Sequence, residues 1–223
     1  MDDMGETSGK TGHRAAYHHG DLRNALIDAA TDLAREGGPD AVVLRAAARR
    51  VGVSPTAAYR HFNGQGDLLF AVKVCGQRRL AESMAAAGEL GQDATGDEVE
   101  DAVLAMGRGY ISFALREPGL FRSAFCDTPE LAMVLNESGV PSPSSGEWQF
   151  RSFEMLIDVL DRLVACGRMP AHRRPGAEVA AWSMVHGLSV LLLDGPFAQL
   201  PDDRREAAVD RTLRTLLAGF TAP

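Results

Sequence analysis

The residues best suited to chemistry cluster in one run, Leu44-Arg45-Ala46-Ala47-Ala48-Arg49-Arg50-Val51-Gly52-Val53-Ser54-Pro55-Thr56-Ala57-Ala58-Tyr59-Arg60-His61-Phe62. Arg45, Arg49, Arg50 and Arg60 supply permanent positive charge, Ser54, Thr56 and Tyr59 supply hydroxyls, and His61 adds an imidazole. Guanidinium and hydroxyl donors pair with phosphate oxygens, and short side chains beside them can meet base edges. The chemistry is recognition of a polyanion rather than bond making. No G-x-S-x-G, H-E-x-x-H, phosphate-loop or G-x-G-x-x-G run occurs, so neither a catalytic residue nor a cofactor is expected. Cys75, Cys126 and Cys166 are widely spaced, form no C-x-x-C pair and read as buried small hydrophobes. His18-His19 lacks a carboxylate or cysteine at ligand spacing, so no metal is expected there.

These donors need a scaffold that holds them along one edge. Leu44 to Val51 predicts a short helix stopped at Gly52. Ser54-Pro55 restarts a helix to about Phe62, with Ser as N-cap and Pro in the first turn. The pair reads as a helix-turn-helix whose second helix enters a major groove. Gly52 fits a turn with an unusual backbone angle and a close helix approach, and Ala47 and Ala48 are small enough for the second helix to cross close by. A helix capped by Asp21 precedes this pair, carries Leu22, Leu26, Ala29 or Ala30, and Leu33 on one face, and ends at Gly37-Gly38-Pro39. Asn63-Gly64-Gln65-Gly66 breaks the recognition segment, and Asp67 caps a longer helix through Leu80.

After a polar, Gly-rich loop over 88–96, apolar steps of three and four resume. Val99 to Phe113, a short helix opened by Pro118, Phe150 to Val164, Gly176 to Asp194 and Asp202 to Gly219 all read as helices, with a Pro- and Ser-rich loop over 136–146. No stretch shows the alternation of a strand. The fold class is therefore all-α: a mobile arm over 1–16, a three-helix DNA-binding unit over 17–66, and a helical unit over 67–223.

Charge divides the chain in the same place. Of its 223 residues, those from Lys10 to Leu80 hold 11 basic and 6 acidic residues, whereas Ala81 to Pro223 holds 12 basic and 21 acidic. A basic first unit joined to an acidic second suggests that only the first meets a polyanion. The acidic, polar N-terminus is unlike a signal peptide, and the apolar stretch near Leu188 to Leu193 is too short to cross a bilayer, so a cytoplasmic protein with no membrane partner is expected.

The run GVSPTAAYRHF followed by GDLL, together with YHHGDLRNALIDAA over 17–30, resembles the DNA-binding segment of the TetR family of transcriptional regulators. Trp182-Ser183-Met184-Val185-His186-Gly187 is similar to a Trp-x-x-x-His-Gly signature of one C-terminal subgroup. The resemblance implies a homodimer that binds a palindromic double-stranded DNA operator, most often as a repressor, and is released when a small-molecule effector enters the C-terminal domain. Carried onto this sequence, the DNA-binding residues are Arg45, Ser54, Pro55, Thr56, Ala57, Tyr59, Arg60, His61 and Gln65. Tyr59 and Ser54 would contact phosphate and Thr56 and Ala57 base edges, whereas Arg49 and Arg50 read as a solvated face.

Two positions depart from the family pattern. Gln65 stands where a phosphate-contacting Lys is usual, which would flatten the salt dependence of binding by about one unit. Val43 stands where a Ser or Thr often caps the second helix, at a cost of about 1 kcal/mol.

Met106, Tyr110, Phe113, Phe121, Phe125, Trp148, Phe153 and Trp182 fall on the stripes of the second unit, where most must be core. A bundle that encloses a cavity lines it with the same residue types. Met106, Tyr110, Phe113, Phe121, Phe125, Phe153, Trp182 and His186 are thus the candidate contacts for a largely apolar ligand, although a histidine on an apolar helix is more often a satisfied core or interface residue than a ligand contact. The last two helices each carry a wide apolar face, and pairing them about a two-fold axis would give a four-helix dimer interface.

Overall fold

The computed structural model describes residues 19–86, 90–91, 93–126, 134–135, 141–142 and 151–222. Among these residues, nine α-helices follow one another: α1 (His19–Gly37), α2 (Leu44–Val51), α3 (Pro55–Ala58), α4 (Gln65–Ala85), α5 (Gly96–Arg116), α6 (Pro118–Phe125), α7 (Arg151–Ala165), α8 (Ala177–Leu193) and α9 (Asp202–Thr221). The all-α expectation holds, with three helices in the first unit and six after it. A minimal antiparallel ladder, β1 (Val134–Leu135) and β2 (Pro141–Ser142), pairs Val134 with Ser142 and Leu135 with Pro141. Its second strand falls within the expected loop over 136–146, and its first lies just before it. The rest of that loop, the arm over 1–16, His18 and Trp148 lie outside the described residues.

Local rules explain most of the boundaries, and four expectations need correction. Helix α1 begins at His19, so Asp21 lies in its first turn rather than at its cap. Helix α3 ends at Ala58, and the chain continues to Phe62 in tighter turns, with His61 N–H donating to the Ala58 carbonyl at 3.0 Å. Gly64 is the N-cap of α4, and Asp67 works from inside the first turn, its Oδ2 accepting the Asn63 backbone N–H at 3.1 Å. The cysteines are more open than expected: Cys75 and Cys126 are half-buried and Cys166 is exposed.

Gly52 is explained by half of its expected reason. It caps α2 in the left-handed region at φ 78°, where a side chain is strained. A Cβ placed on it meets nothing within 4 Å, so crowding plays no part. The close approach comes instead from Ala47 and Ala48, both fully buried. Val43 is the N-cap of α2 and supplies no side-chain hydrogen bond. A strong N-terminal signal occurs farther along, where Thr95 and Glu98 form a reciprocal capping box at the start of α5.

A buried cluster runs without interruption from Leu26, Ala30, Ala47 and Phe62 through Leu68, Val72 and Leu80 of α4 to Leu120, Ile111, Leu188 and Leu213. Helix α4 thus belongs to both units. At the far end a second cluster gathers Val103, Val159, Leu160, Leu163, Met169 and Phe220. Three buried hydroxyls are satisfied within their own helices: Thr31, Ser123 and Ser189 each donate to the carbonyl four residues back, at 2.8, 2.9 and 2.7 Å. The first turn of α6 presses on the last turns of α1. A Cβ on Gly119 would collide with the Ala34 carbonyl oxygen and lie 2.7 Å from that of Arg35.

Candidate DNA interface and ligand cavity

The recognition segment opens with Ser54, whose Oγ accepts the Ala57 N–H at 3.2 Å and fixes the first turn. Accepting that bond leaves the hydroxyl hydrogen able to donate outward. Pro55 takes the first helical position, where its missing N–H costs nothing. Ala58 and Phe62 are buried and anchor the segment, whereas Thr56, Tyr59 and Arg60 are exposed and Ala57 and His61 are half-buried. Tyr59 is 50% exposed, unusual for a large aromatic ring. Arg45 is exposed in the first turn of α2, and Gln65 is exposed as the first residue of α4. The nine sequence-derived positions thus fall on α2, α3, the following turns and the start of α4.

Two contacts of this unit have no signal in the sequence. Arg50 pairs with Glu36 through two hydrogen bonds of 3.1 and 2.8 Å, joining α2 to α1. That bond holds the Glu36 carboxyl below its usual range. Arg49 is exposed beside it. Arg23 of α1 places its guanidinium carbon 4.9 Å from the centroid of the Phe62 ring. Both partners are far apart in the chain, so no spacing rule reports them.

In the second unit a narrow cavity is walled by α4, α5, α6, α7, α8 and α9. Met106, Tyr110, Phe125, Phe153 and Trp182 line it, as do Met84, Gly107, Ser152, Leu156 and Val185, which were legible only as core or not at all. Phe113, Phe121 and His186 do not line it. Phe113 and Phe121 are buried behind the wall, and the His186 ring lies 5.4 Å from Phe121 and 4.8 Å from Phe125 between centroids. The cavity offers about 40 Å³ to water-sized occupants, room for about three waters. A ligand of ordinary size needs about 300 Å³ or more, so its entry requires the walls to part.

A polar chain at this wall joins α5 to α8. Trp182 Nε1–H donates to the Tyr110 hydroxyl oxygen at 3.2 Å, and that hydroxyl meets His186 Nδ1 at 2.8 Å. An indole N–H can only donate, so the tyrosine oxygen accepts from Trp182, and the direction of the Tyr110–His186 bond follows the imidazole tautomer. Burial pushes the Tyr110 phenol up, against the opposing pull of the Trp182 hydrogen bond. Burial pushes the His186 imidazole down. Both groups are therefore neutral near pH 7 and suit a neutral guest. On the cavity's other side Ser152 Oγ donates to Gln77 Oε1 at 3.4 Å, and Gln77 Nε2 donates to the Ala124 carbonyl at 3.0 Å, joining α7, α4 and α6.

No helix among the described residues is long and apolar enough to cross a membrane. Comparison with known proteins agrees with this architecture at both ends of the chain. Residues 26–72 match the family model described as "Bacterial regulatory proteins, tetR family", and residues 103–216 match "Tetracyclin repressor-like, C-terminal domain". The chain is 28% identical over 195 residues to the uncharacterized HTH-type transcriptional regulator YobS of Bacillus subtilis (strain 168), covering 87% of this chain and 90% of that protein. Its fold is similar to that of a protein of unknown function from Rhodococcus sp. RHA1, with a TM-score of 0.66, 25% identity and coverage of 92% and 100%. It is also similar to a TetR variant from Acinetobacter baumannii AYE, solved in complex with minocycline, with a TM-score of 0.59, 23% identity and coverage of 88% and 94%. With a helix-turn-helix at one end and a matched C-terminal domain over half its length, this chain belongs to the TetR family of transcriptional regulators.

Proposed function

We propose that this regulator is a repressor that binds a palindromic DNA operator as a homodimer and is released by a small, neutral, largely apolar effector in the C-terminal cavity. No catalytic step belongs to this reading, and the protein works in the cytoplasm beside its DNA. Residues 17–66 act as the DNA-binding unit and 67–223 as the effector and dimerisation unit, with 1–16 as an arm. Arg45, Ser54, Pro55, Thr56, Ala57, Tyr59, Arg60, His61 and Gln65 form the DNA face.

The single observation that carries this reading is the span of α4. The helix starts at Gln65, directly after the recognition segment, and its far end places Met84 in the cavity wall. An effector larger than the present void must push that wall outward. The displacement then reaches the three-helix unit along α4, and also through α6, which carries Phe125 in the wall and Gly119 against α1. The similar fold solved with minocycline supports a small molecule as the trigger. Dimerisation is supported by the outer face of α8, where Val179, Val190 and Leu191 are each about two-fifths exposed and no charged residue follows Glu178 up to Leu193. A second copy covering that face fixes the separation of the two recognition segments, which must be about 34–36 Å to reach successive major grooves.

The test is a gel-shift against the intergenic DNA upstream of the protein's own gene at two salt concentrations. A specific, strongly salt-dependent shift is expected, and the double substitution Tyr59→Ala, Arg60→Ala abolishes it while the dimer persists in sedimentation. Unchanged DNA affinity in that variant refutes the assigned recognition segment.

A further inference from the structure

Arg23 lies on α1, outside the helix-turn-helix, yet its guanidinium sits 4.9 Å from the ring of Phe62 at the end of the recognition segment. Phe62 is buried to 1% exposure, so the ring is a fixed platform, whereas Arg23 is exposed. The other arginines that face neighbouring helices in this unit are already committed. Arg35 bonds Asp32 and Glu117, and Arg50 bonds Glu36. Among the described residues, no carboxylate pairs with Arg23. After Phe62 the chain turns into α4 through Asn63, Gly64, Gln65 and Gly66, and it carries no Lys or Arg until Lys73. A recognition helix centred in a groove about 12 Å wide has phosphates flanking its ends, and a stacked guanidinium there keeps its N–H donors for an oxyanion.

We infer that Arg23 is a DNA backbone-phosphate contact, held by Phe62 at the end of the recognition segment. The inference rests on the DNA-binding reading above. Stacking restrains a long side chain before DNA arrives, so little rotamer freedom is lost on contact. The contact carries no base information and acts alike on every sequence.

The test measures fluorescence anisotropy of the full-length protein with the upstream duplex and with a scrambled duplex of equal length, from 50 to 200 mM salt. Arg23→Gln is expected to flatten the slope of log affinity against log salt by about 0.9 on both duplexes, so that wild type loses about 3.5-fold more affinity than the variant across that range. Arg23→Lys keeps the slope. Gln65→Lys, placed three residues after Phe62, restores it in the Arg23→Gln background. Thermal melts confirm that each variant is folded. An unchanged slope in Arg23→Gln overturns the inference, and so does weaker binding at unchanged slope, which would make Arg23 a positioning residue for Phe62 only. If wild type binds neither duplex in a salt-dependent manner, the DNA-binding reading itself falls.

Discussion

The Tyr110 hydroxyl meets Nδ1 of His186 at 2.8 Å across the interface of α5 and α8, while Trp182 on α8 donates to the same oxygen at 3.2 Å. One oxygen thereby satisfies two groups beside an apolar cavity. Its loss leaves both of them short of a partner.

Tyr110→Phe removes that oxygen and nothing else. Stability falls by about 1–3 kcal/mol, the cost of partly buried polar groups left unpaired. Urea unfolding followed by far-UV circular dichroism measures it. A change below a few tenths of a kcal/mol would show that water replaces the hydroxyl.

Burial keeps the His186 imidazole below its ordinary titration range. The unfolded ring takes its proton at its ordinary pKa of about 6.5, and the folded ring only at lower pH. Between those points the unfolded chain binds more protons. Stability from this group is therefore fully present above the ordinary pKa and declines as pH falls through it toward the folded value. The melting temperature of wild type, followed from pH 7.5 to 5.5, drops more steeply than that of His186→Asn. Parallel curves would assign the decline to other groups.

Gly119→Ala drives a methyl into the Ala34 and Arg35 carbonyls at the α1–α6 contact. Backbone cannot yield as a flexible side-chain tip can, so the cost is about 1–3 kcal/mol. Arg35 and Glu117 bond at the same junction with Nε to Oε2 at 2.8 Å, but both are partly open to solvent. Glu117→Gln therefore costs at most about 1 kcal/mol. The order of the two variants in urea midpoints is the readout, and the reverse order contradicts this account of the junction.

Gly52→Ala tests a different kind of glycine. Space is open there, and the penalty comes only from the left-handed backbone at φ 78°. A loss of about 1–2 kcal/mol is expected. Gly52→Asn recovers part of it, because asparagine tolerates that region better than alanine. Equal losses for the two would point away from backbone conformation.

Much of this protein was legible in one dimension because its signals are local. Ser54-Pro55 starts a helix and Gly52 ends one through the backbone angles and donors those residues carry, whatever lies around them. Apolar steps of three and four mark each long helix because burying one face is what makes it stable. The motif over 44–62 likewise displays its exposed donors in order.

Local signals still misplaced the boundaries at Asp21, Ala58 and Gly64 by a turn or less, and the other errors and omissions arose where distance along the chain mattered. The sequence could place Met106, Tyr110, Phe125, Phe153 and Trp182 on apolar stripes, but only packing decides which members of a stripe face a void and which, like Phe113 and Phe121, lie behind it. Met84 and Ser152 reach the cavity because α4 and α7 pass on opposite sides of it, a fact of crossing geometry. Arg23 and Phe62 meet across 39 positions of sequence, and Tyr110 and Trp182 across 72. The helices, the helix-turn-helix and the donors it exposes were determined by sequence alone, since these depend on neighbours within one or two turns. The tertiary structure decided the cavity wall, the hydrogen-bonded chain beside it and the helices that join it to the helix-turn-helix, because each is a product of long-range packing.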